Sequence, residues 1–172
     1  MSFKSDFTNL LGLTTNDYFL CKLFACSITH DKWFLFLISG GFMHRVLVID
    51  DDPAMTDLLG IILSSHQMEV KVANDGQTGL NSLNNYSPNI IILDLLMPEI
   101  DGWKVCRKIK QLNNIPILVL SAVDSPSMIA EALDAGADDY LIKPVTTTSL
   151  IAHINNLVKR TTGELRLSNT RI

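Results

Sequence analysis

Apolar runs and amphipathic segments alternate along most of the chain. Five short runs rich in β-branched residues predict strands at 45–50, 69–73, 89–94, 116–120 and 139–142. Longer segments near 53–65, 76–86, 101–112, 126–135 and 147–160 have the spacing of helices. Four consecutive apolar residues, Ile90–Leu93, are typical of a strand covered on both faces. The pattern predicts an α/β fold, a doubly wound (βα)5 parallel sheet with helices on both faces.

Helix ends carry their own signals. Pro53 and Pro126 suit a first helical turn, and Gly136 suits a helix C-terminus. In the last predicted helix, apolar residues recur at i, i+1, i+4, i+7 and i+8 and predict its buried face: Leu150, Ile151, Ile154, Leu157 and Val158.

Composition divides the chain near residue 43. All seven phenylalanines lie before that residue, and all six prolines lie after it. Residues 1–42 carry three Lys and three Asp, so the remaining 11 Lys+Arg and 15 Asp+Glu account for the whole net charge of −4. We therefore expect an N-terminal extension at 1–42, a folded domain at 43–160, and a linker or the start of an output domain at 161–172.

The extension at 1–42 has two interpretations. Its two apolar stretches are interrupted by His30, Asp31 and Lys32, and its start lacks the basic character of a signal peptide. One interpretation makes Met43 the natural start and the upstream stretch a translation artefact. The other makes 1–42 a segment that binds a partner or touches a membrane. We favour the first, and expect no membrane contact by 1–42 and a cytoplasmic location.

Charge and cysteine content exclude several classes of protein. A pI of about 5.4 leaves no basic face for nucleic acid. The cysteines at 21, 26 and 106 form neither a disulfide framework nor a metal-binding motif. No apolar run reaches the roughly 18–20 residues that span a bilayer.

The ends of the predicted strands carry the candidate chemistry. Ligands of doubly wound sheets bind beyond the carboxyl ends of the strands, where the strand order reverses. Several carboxylates at one edge need a cation, and Mg²⁺ prefers such oxygen ligands. A lysine and a hydroxyl beside them suit a phosphoryl group that moves onto or off a carboxylate. The residues concerned are Asp50, Asp51, Asp52, Asp94, Ser121 and Lys143.

Each of these residues also has an ordinary structural interpretation. The run of acids before Pro53 could cap the first helix, Ser121 could be a turn residue, and Lys143 could lie on the surface. Their joint position at strand ends favours a site instead. Asp94 is the candidate nucleophile because it stands alone after the central strand.

Four motifs together resemble the receiver domain of two-component response regulators, the CheY-like family. They are VLVIDDD at 46–52, ILDLLMP at 92–98 with Asp101 and Gly102, LSA at 120–122, and GADDYLIKP at 136–144. The resemblance covers about 44–160. It implies a flavodoxin-like sheet of order 2-1-3-4-5.

The resemblance also implies residue roles. Asp94 would accept a phosphoryl group from a sensor histidine kinase. Asp51 and Asp94 would bind Mg²⁺ directly, together with the backbone carbonyl of Leu96, and Asp50 would act through water.

Three further residues match the family's switch. Lys143 would contact the phosphoryl group, and the Ser121 hydroxyl would follow a phosphoryl oxygen. Tyr140 would turn inward in response, which changes the face formed by the fourth helix, fifth strand and fifth helix. A phosphoacceptor of this kind is not a turnover enzyme, and it signals to a downstream effector or output domain.

The chain departs from the family pattern in two places. Leu96 and Val123 stand where relatives often carry polar groups that place a hydrolytic water, so we expect a long-lived aspartyl phosphate. The tail 157–172 resembles the start of an OmpR-type winged-helix domain, with no room for a helix-turn-helix. Ser149 and His153 replace the acid and arginine usual in the dimer contacts of those relatives, and Glu131 lies on the fourth helix. A homodimer formed on phosphorylation stays an open alternative.

Two alternative functions make different demands on these residues. A phosphohydrolase with an aspartyl-phosphate intermediate would need a second acid two residues after Asp94, where Leu96 stands. A binding module independent of phosphorylation would not need the full acidic, hydroxyl and lysine set. The missing glycine fingerprint excludes a nucleotide-binding dehydrogenase.

Overall fold

Five strands alternate with five helices in the computed structural model, which describes residues 44–98 and 101–162. Every predicted element is present; the ends of α1, α2 and β5 match the prediction, and no other end differs from it by more than two residues. The elements are β1 (His44–Ile49), α1 (Pro53–Ser65), β2 (Met68–Ala73), α2 (Gly76–Tyr86), β3 (Ile90–Leu93), α3 (Gly102–Leu112), β4 (Ile117–Ser121), α4 (Pro126–Asp134), β5 (Asp139–Ile142) and α5 (Thr147–Thr162).

The strands form one parallel sheet of order β2-β1-β3-β4-β5. The flavodoxin-like fold and its strand order are thereby confirmed. The chain leaves β1 toward β2 on one side and returns to β3 on the other, and this reversal opens a crevice beyond the carboxyl ends of β1 and β3. The register places Ile49 opposite Leu93, so the residues that follow these two strands lie side by side.

Alternate residues of the central strands supply two separate cores. Leu47, Ile91 and Val119 face the side covered by α2, α3 and α4. Val48 and Ile92 face the opposite side, covered by α1 and α5. All four residues of β3 are buried, as its unbroken apolar run predicted. The predicted stripe of α5 lies in the second core, with Ile151 only partly buried.

The predicted helix ends are confirmed. Pro53 and Pro126 each occupy the first turn of a helix. Gly136 follows the end of α4 with φ of +110°, a backbone conformation that favours glycine. Its amide donates to the carbonyl of Leu133 at 2.9 Å, which satisfies one of the last carbonyls of the helix.

Within 44–98 and 101–162, no helix is long and apolar enough to cross a membrane. The expectations about 1–42 and about the tail from 163 onward lie outside the described residues.

Asp75 caps α2 and provides a test of local stability. Its carboxylate accepts the Thr78 amide at 2.7 Å and the Thr78 hydroxyl at 2.6 Å, and these bonds hold the pKa of Asp75 below its usual value.

Asp75→Ala is expected to lower the free energy of unfolding at neutral pH by about 1 kcal/mol. Because the folded-state pKa is lowered, the cap's ionised form contributes above the ordinary value of 3.8, and that contribution is lost as the pH falls through the lowered pKa. Urea unfolding at neutral and acidic pH measures both effects. Asn84→Ala, on the exposed surface of the same helix, is the control, and an equal loss in that variant would contradict the cap.

Candidate functional site

Asp50 and Asp94 lie next to each other just beyond two adjacent strands. The backbone amide of Asp94 donates to Ile49 at 2.9 Å, and that of Asp50 donates to Ala73 at 3.2 Å. The inter-strand hydrogen bonding thus continues one residue past β1 and β3. This fixes both backbones at the same edge of the sheet, although neither residue is part of a strand.

Lys143 lies between the two carboxylates. Its Nζ is 2.7 Å from Oδ2 of Asp50 and 2.9 Å from Oδ2 of Asp94. The Lys143 amide donates to the carbonyl of Ser121, so the end of β4 positions the lysine backbone. The peptide bond from Lys143 to Pro144 is cis. The three predicted strand ends therefore meet in one buried ionic cluster.

Asp94 accepts hydrogen bonds on both carboxylate oxygens. Oδ1 receives the Ser121 hydroxyl at 2.5 Å and the amides of Leu95 and Leu96 at 2.6 and 3.2 Å. Oδ2 receives the ammonium of Lys143. Ser121 is completely buried and Asp94 is 8% exposed. The carboxylate is therefore held in a single orientation with its charge well compensated.

The pKa values of the cluster follow from this arrangement. Burial raises the pKa of Asp94, but the hydrogen bonds from Ser121 and Lys143 outweigh burial and leave it below the usual value. Burial also raises the pKa of Asp50 and prevails there, although Lys143 and the Asp52 amide oppose it. Burial lowers the pKa of Lys143, and its two carboxylate partners more than reverse this, so the lysine is held as a cation.

Asp51 completes a group of three carboxylates that could hold a metal ion. One oxygen from each of Asp50, Asp51 and Asp94 lies within 4.8 Å of the others. With Lys143, three negative charges face one positive charge, so a hard divalent cation fits the charge and the donor atoms. The amide of Leu96 donates to Asp94, so Leu96 lies next to this group. That the Leu96 carbonyl binds the metal stays a prediction.

The three consecutive acids have separate roles. Asp52 caps α1, because its carboxylate accepts the Ala54 amide at 2.9 Å. The Asp52 amide in turn donates to Asp50 at 2.9 Å. Helix capping, the ordinary interpretation of this run, therefore holds for Asp52, whereas Asp50 and Asp51 belong to the acidic cluster.

Tyr140 faces the segment between β4 and α4. Its hydroxyl donates to the carbonyl of Val123 at 2.8 Å, and its ring packs against the first core. Burial raises the pKa of Tyr140, and the neighbouring Ser121 hydroxyl partly opposes this. The residue predicted as a switch thus lies beside the hydroxyl that contacts Asp94.

Leu96 and Val123, the two apolar departures from the family pattern, flank the site differently. Leu96 is half exposed directly beyond Asp94, whereas Val123 is buried. Neither side chain can place a water molecule by hydrogen bonding.

Three further residues support the site. Gly102, already named in the second sequence motif, contacts the backbone of the Asp94 loop, and the Trp103 indole reaches α4. The buried Thr56 accepts from Asn74 at 3.2 Å, which ties the end of β2 to the start of α1. Sequence reasoning gave Trp103 and Thr56 no role at the site, and nothing in the local pattern pointed to either.

On the face formed by α4, β5 and α5, His153 pairs with Asp139 of the same chain at 2.6 Å. Large apolar side chains are exposed on this face at Leu133 and Ile142. Ser149 is partly buried and Glu131 is exposed. Dimerisation through this face stays a prediction.

The chain belongs to the response regulator receiver domain family, whose model matches residues 46–155. Among curated proteins it is 43% identical over 121 residues to response regulator MprA of Mycolicibacterium vanbaalenii, covering 70% of this chain and 52% of that protein. The MprA of Mycobacterium avium is 42% identical over 121 residues, covering 70% of this chain and 53% of that one. The chain spans about half the length of these relatives.

Solved structures agree with this assignment. The receiver domain of Francisella response regulator 1452 superposes with a TM-score of 0.65 at 35% identity, covering 69% of this chain and 98% of that one. The BeF3-activated receiver domain of Klebsiella pneumoniae RstA gives a TM-score of 0.65 at 27% identity, covering 67% of this chain and 98% of that one. The protein therefore contains the receiver domain of a two-component response regulator.

Gly102→Ala tests the close approach between α3 and the Asp94 loop. A Cβ at Gly102 would lie 2.5 Å from Leu95 Cα and 2.6 Å from the Asp94 carbonyl oxygen, so backbone must move. We expect the free energy of unfolding to fall by about 1–3 kcal/mol, as in other overpacked sites. Urea unfolding measures it.

Gly60→Ala is the matched control, because a Cβ at Gly60 in α1 meets nothing within 4 Å. That change is expected to stabilise the protein by about 0.5–1 kcal/mol, since alanine is the better helix former. Equal stabilisation in both variants would contradict the steric interpretation of Gly102.

Proposed function

We propose that this protein accepts a phosphoryl group on Asp94 from a sensor histidine kinase and passes the signal to a downstream effector or output domain. The observation that carries the proposal is the set of contacts around the Asp94 carboxylate. One oxygen is held by the Ser121 hydroxyl and two amides, and the other by Lys143 beside a second acid. Such a module works in the cytoplasm, where a kinase and its target can reach it.

The lowered pKa of Asp94 suits a nucleophile, because the carboxylate is ionised at neutral pH. An oxygen of Asp94 would attack the phosphorus of the donor, and the bond from phosphorus to the donor's leaving group would break. Lys143 and the Ser121 hydroxyl already reach opposite oxygens of this carboxylate. They are therefore placed to compensate charge on phosphoryl oxygens carried by the same carboxyl group.

The acidic group would hold Mg²⁺ through Asp51, Asp94 and the Leu96 carbonyl, with Asp50 acting through water. When bound, the ion supplies positive charge to the phosphoryl oxygens. Three carboxylates against one lysine leave the site with the negative charge that such an ion neutralises.

The switch would follow from a change of partner at Ser121. Its hydroxyl now contacts Asp94, and a phosphoryl oxygen would draw it toward the new charge. Tyr140 lies beside Ser121 and holds the Val123 carbonyl, so the segment leading into α4 responds. The face formed by α4, β5 and α5 would then change its population of conformations.

Asp94→Asn tests the acceptor. With Mg²⁺ and acetyl phosphate, intact-mass spectrometry is expected to show one added phosphoryl group on the parent and none on the variant. Asp52→Asn is the matched control, because asparagine keeps the helix cap and residue 52 lies outside the acidic group. It should load like the parent, and chelation of the metal should abolish loading in both.

An adduct on Asp94→Asn would overturn the acceptor. An adduct on none of the proteins would favour a binding module that works without phosphorylation.

Leu96→Asn tests the lifetime of the aspartyl phosphate. An amide beside Asp94 can hold an attacking water, so hydrolysis of the isolated phosphoprotein is expected to accelerate about tenfold, or ~1.4 kcal/mol of barrier. Leu112→Asn makes the same change at an exposed leucine on α3 and should leave the rate unaltered. Equal rates in the parent and Leu96→Asn would refute the expected long lifetime.

A further inference from the structure

Trp103 makes a direct link between α3 and α4. It stands in the first turn of α3 and is 8% exposed within the first core. Its indole Nε1–H donates to the carbonyl of Met128 at 3.3 Å. Met128 lies in the first turn of α4, so the bond joins the beginnings of two helices.

The backbone of Trp103 is also tied to the loop that carries Asp94. The amide of Gly102 donates to the Leu95 carbonyl at 3.2 Å, and the position has no room for a Cβ against Leu95 and the Asp94 carbonyl. The Trp103 amide donates to Asp101 at 2.9 Å, which holds this first turn in place. A movement of the Asp94–Leu95 backbone therefore cannot be absorbed at Gly102 without displacing the first turn of α3.

Two carbonyls hold the start of α4 in place, one in the segment that precedes the helix and one in its first turn. Tyr140 of β5 binds the carbonyl of Val123, and Trp103 of α3 binds that of Met128. Tyr140 lies beside Ser121, whose hydroxyl contacts Asp94. Trp103 follows Gly102, whose amide contacts the residue after Asp94, so this second connection does not involve Ser121.

Resting on the proposed function, we propose that Trp103 is a positioning residue that couples the Asp94 loop to α4 by a second route. Phosphorylation adds charge and volume at a carboxylate whose Oδ1 receives the Leu95 and Leu96 amides. A rearrangement of these bonds moves the backbone against which Gly102 rests. Through Trp103 the movement reaches Met128, and α4 responds to the phosphoryl group both through the segment that precedes it and through its own first turn.

Trp103→Phe removes the N–H and keeps an aromatic ring. In the full chain, hydrogen–deuterium exchange by mass spectrometry would follow peptides covering α4 and α1, with and without acetyl phosphate and Mg²⁺. Loss of one hydrogen bond is expected to speed exchange in α4 about fivefold in the unphosphorylated protein, with α1 unchanged. Asp94 should still load, and the change in α4 exchange that loading causes in the parent should be reduced.

Ile109→Val is the matched control. Ile109 is fully buried on α3 and its side chain cannot form hydrogen bonds, so its truncation weakens α3 packing without removing the Trp103–Met128 bond. It should leave the phosphorylation-dependent change in α4 at the size seen in the parent. If Trp103→Phe also leaves that change at full size, Trp103 is a packing residue only and the inference is overturned.

A second measurement leaves Trp103 itself unchanged and so does not depend on whether Trp103→Phe folds. The indole N–H resonance of Trp103, assigned with Trp33→Phe, is expected to exchange slowly with solvent and to shift when Asp94 is loaded. Rapid exchange and an unmoved resonance would overturn the inference. Failure of the parent to load at all, seen by intact mass, would instead remove the proposed function, so the two failures are distinguishable.

Discussion

Two buried carboxylates that share one ammonium group are the constraint on which the rest of this structure depends. Lys143 contacts both Asp50 and Asp94, and all three side chains are largely removed from water. In such a place attraction offsets the cost of desolvation only when hydrogen bonds satisfy the remaining oxygens. The amides that follow β1 and β3 and the hydroxyl that ends β4 supply those bonds. The electrostatics of the cluster therefore dictate the backbone at three strand ends.

The negative charge of the carboxylates at this edge of the sheet is only partly balanced by Lys143. Three carboxylates face one lysine, so the cluster has the donor atoms and the excess of carboxylates that suit a divalent cation. The same hydroxyl lies beside Tyr140, whose hydroxyl holds the β4–α4 segment. The side chains of Ser121 and Tyr140 therefore lie between the cluster and the segment that leads into α4.

Much of the fold could be predicted because it rests on short-range regularities. The apolar run of β3 and the stripe of α5 are set by the periods of strand and helix, and the order of elements leaves few connections for a parallel sheet. Several strand ends differ from the prediction by one residue, because a strand ends where its hydrogen bonds to the neighbouring strands end. The pattern predicts Asp50 and Asp94 inside strands, whereas the strands end one residue earlier, although the two amides continue the inter-strand bonding.

The sequence by itself determined which kinds of residue follow each strand: acids after β1 and β3, a hydroxyl at the end of β4 and a lysine after β5. Only the tertiary structure decided which of the three consecutive aspartates takes which role: Asp52 caps α1, and Asp50 forms an ion pair with Lys143. It also decided that Trp103 reaches the Met128 carbonyl and that Gly102 rests on the Asp94 loop. The physical reason is that Asp50 and Lys143 are 93 positions apart in the sequence, and that Trp103 meets Met128, 25 positions away, at a backbone carbonyl of the kind that every residue carries. No local pattern of side chains records which of those atoms will meet.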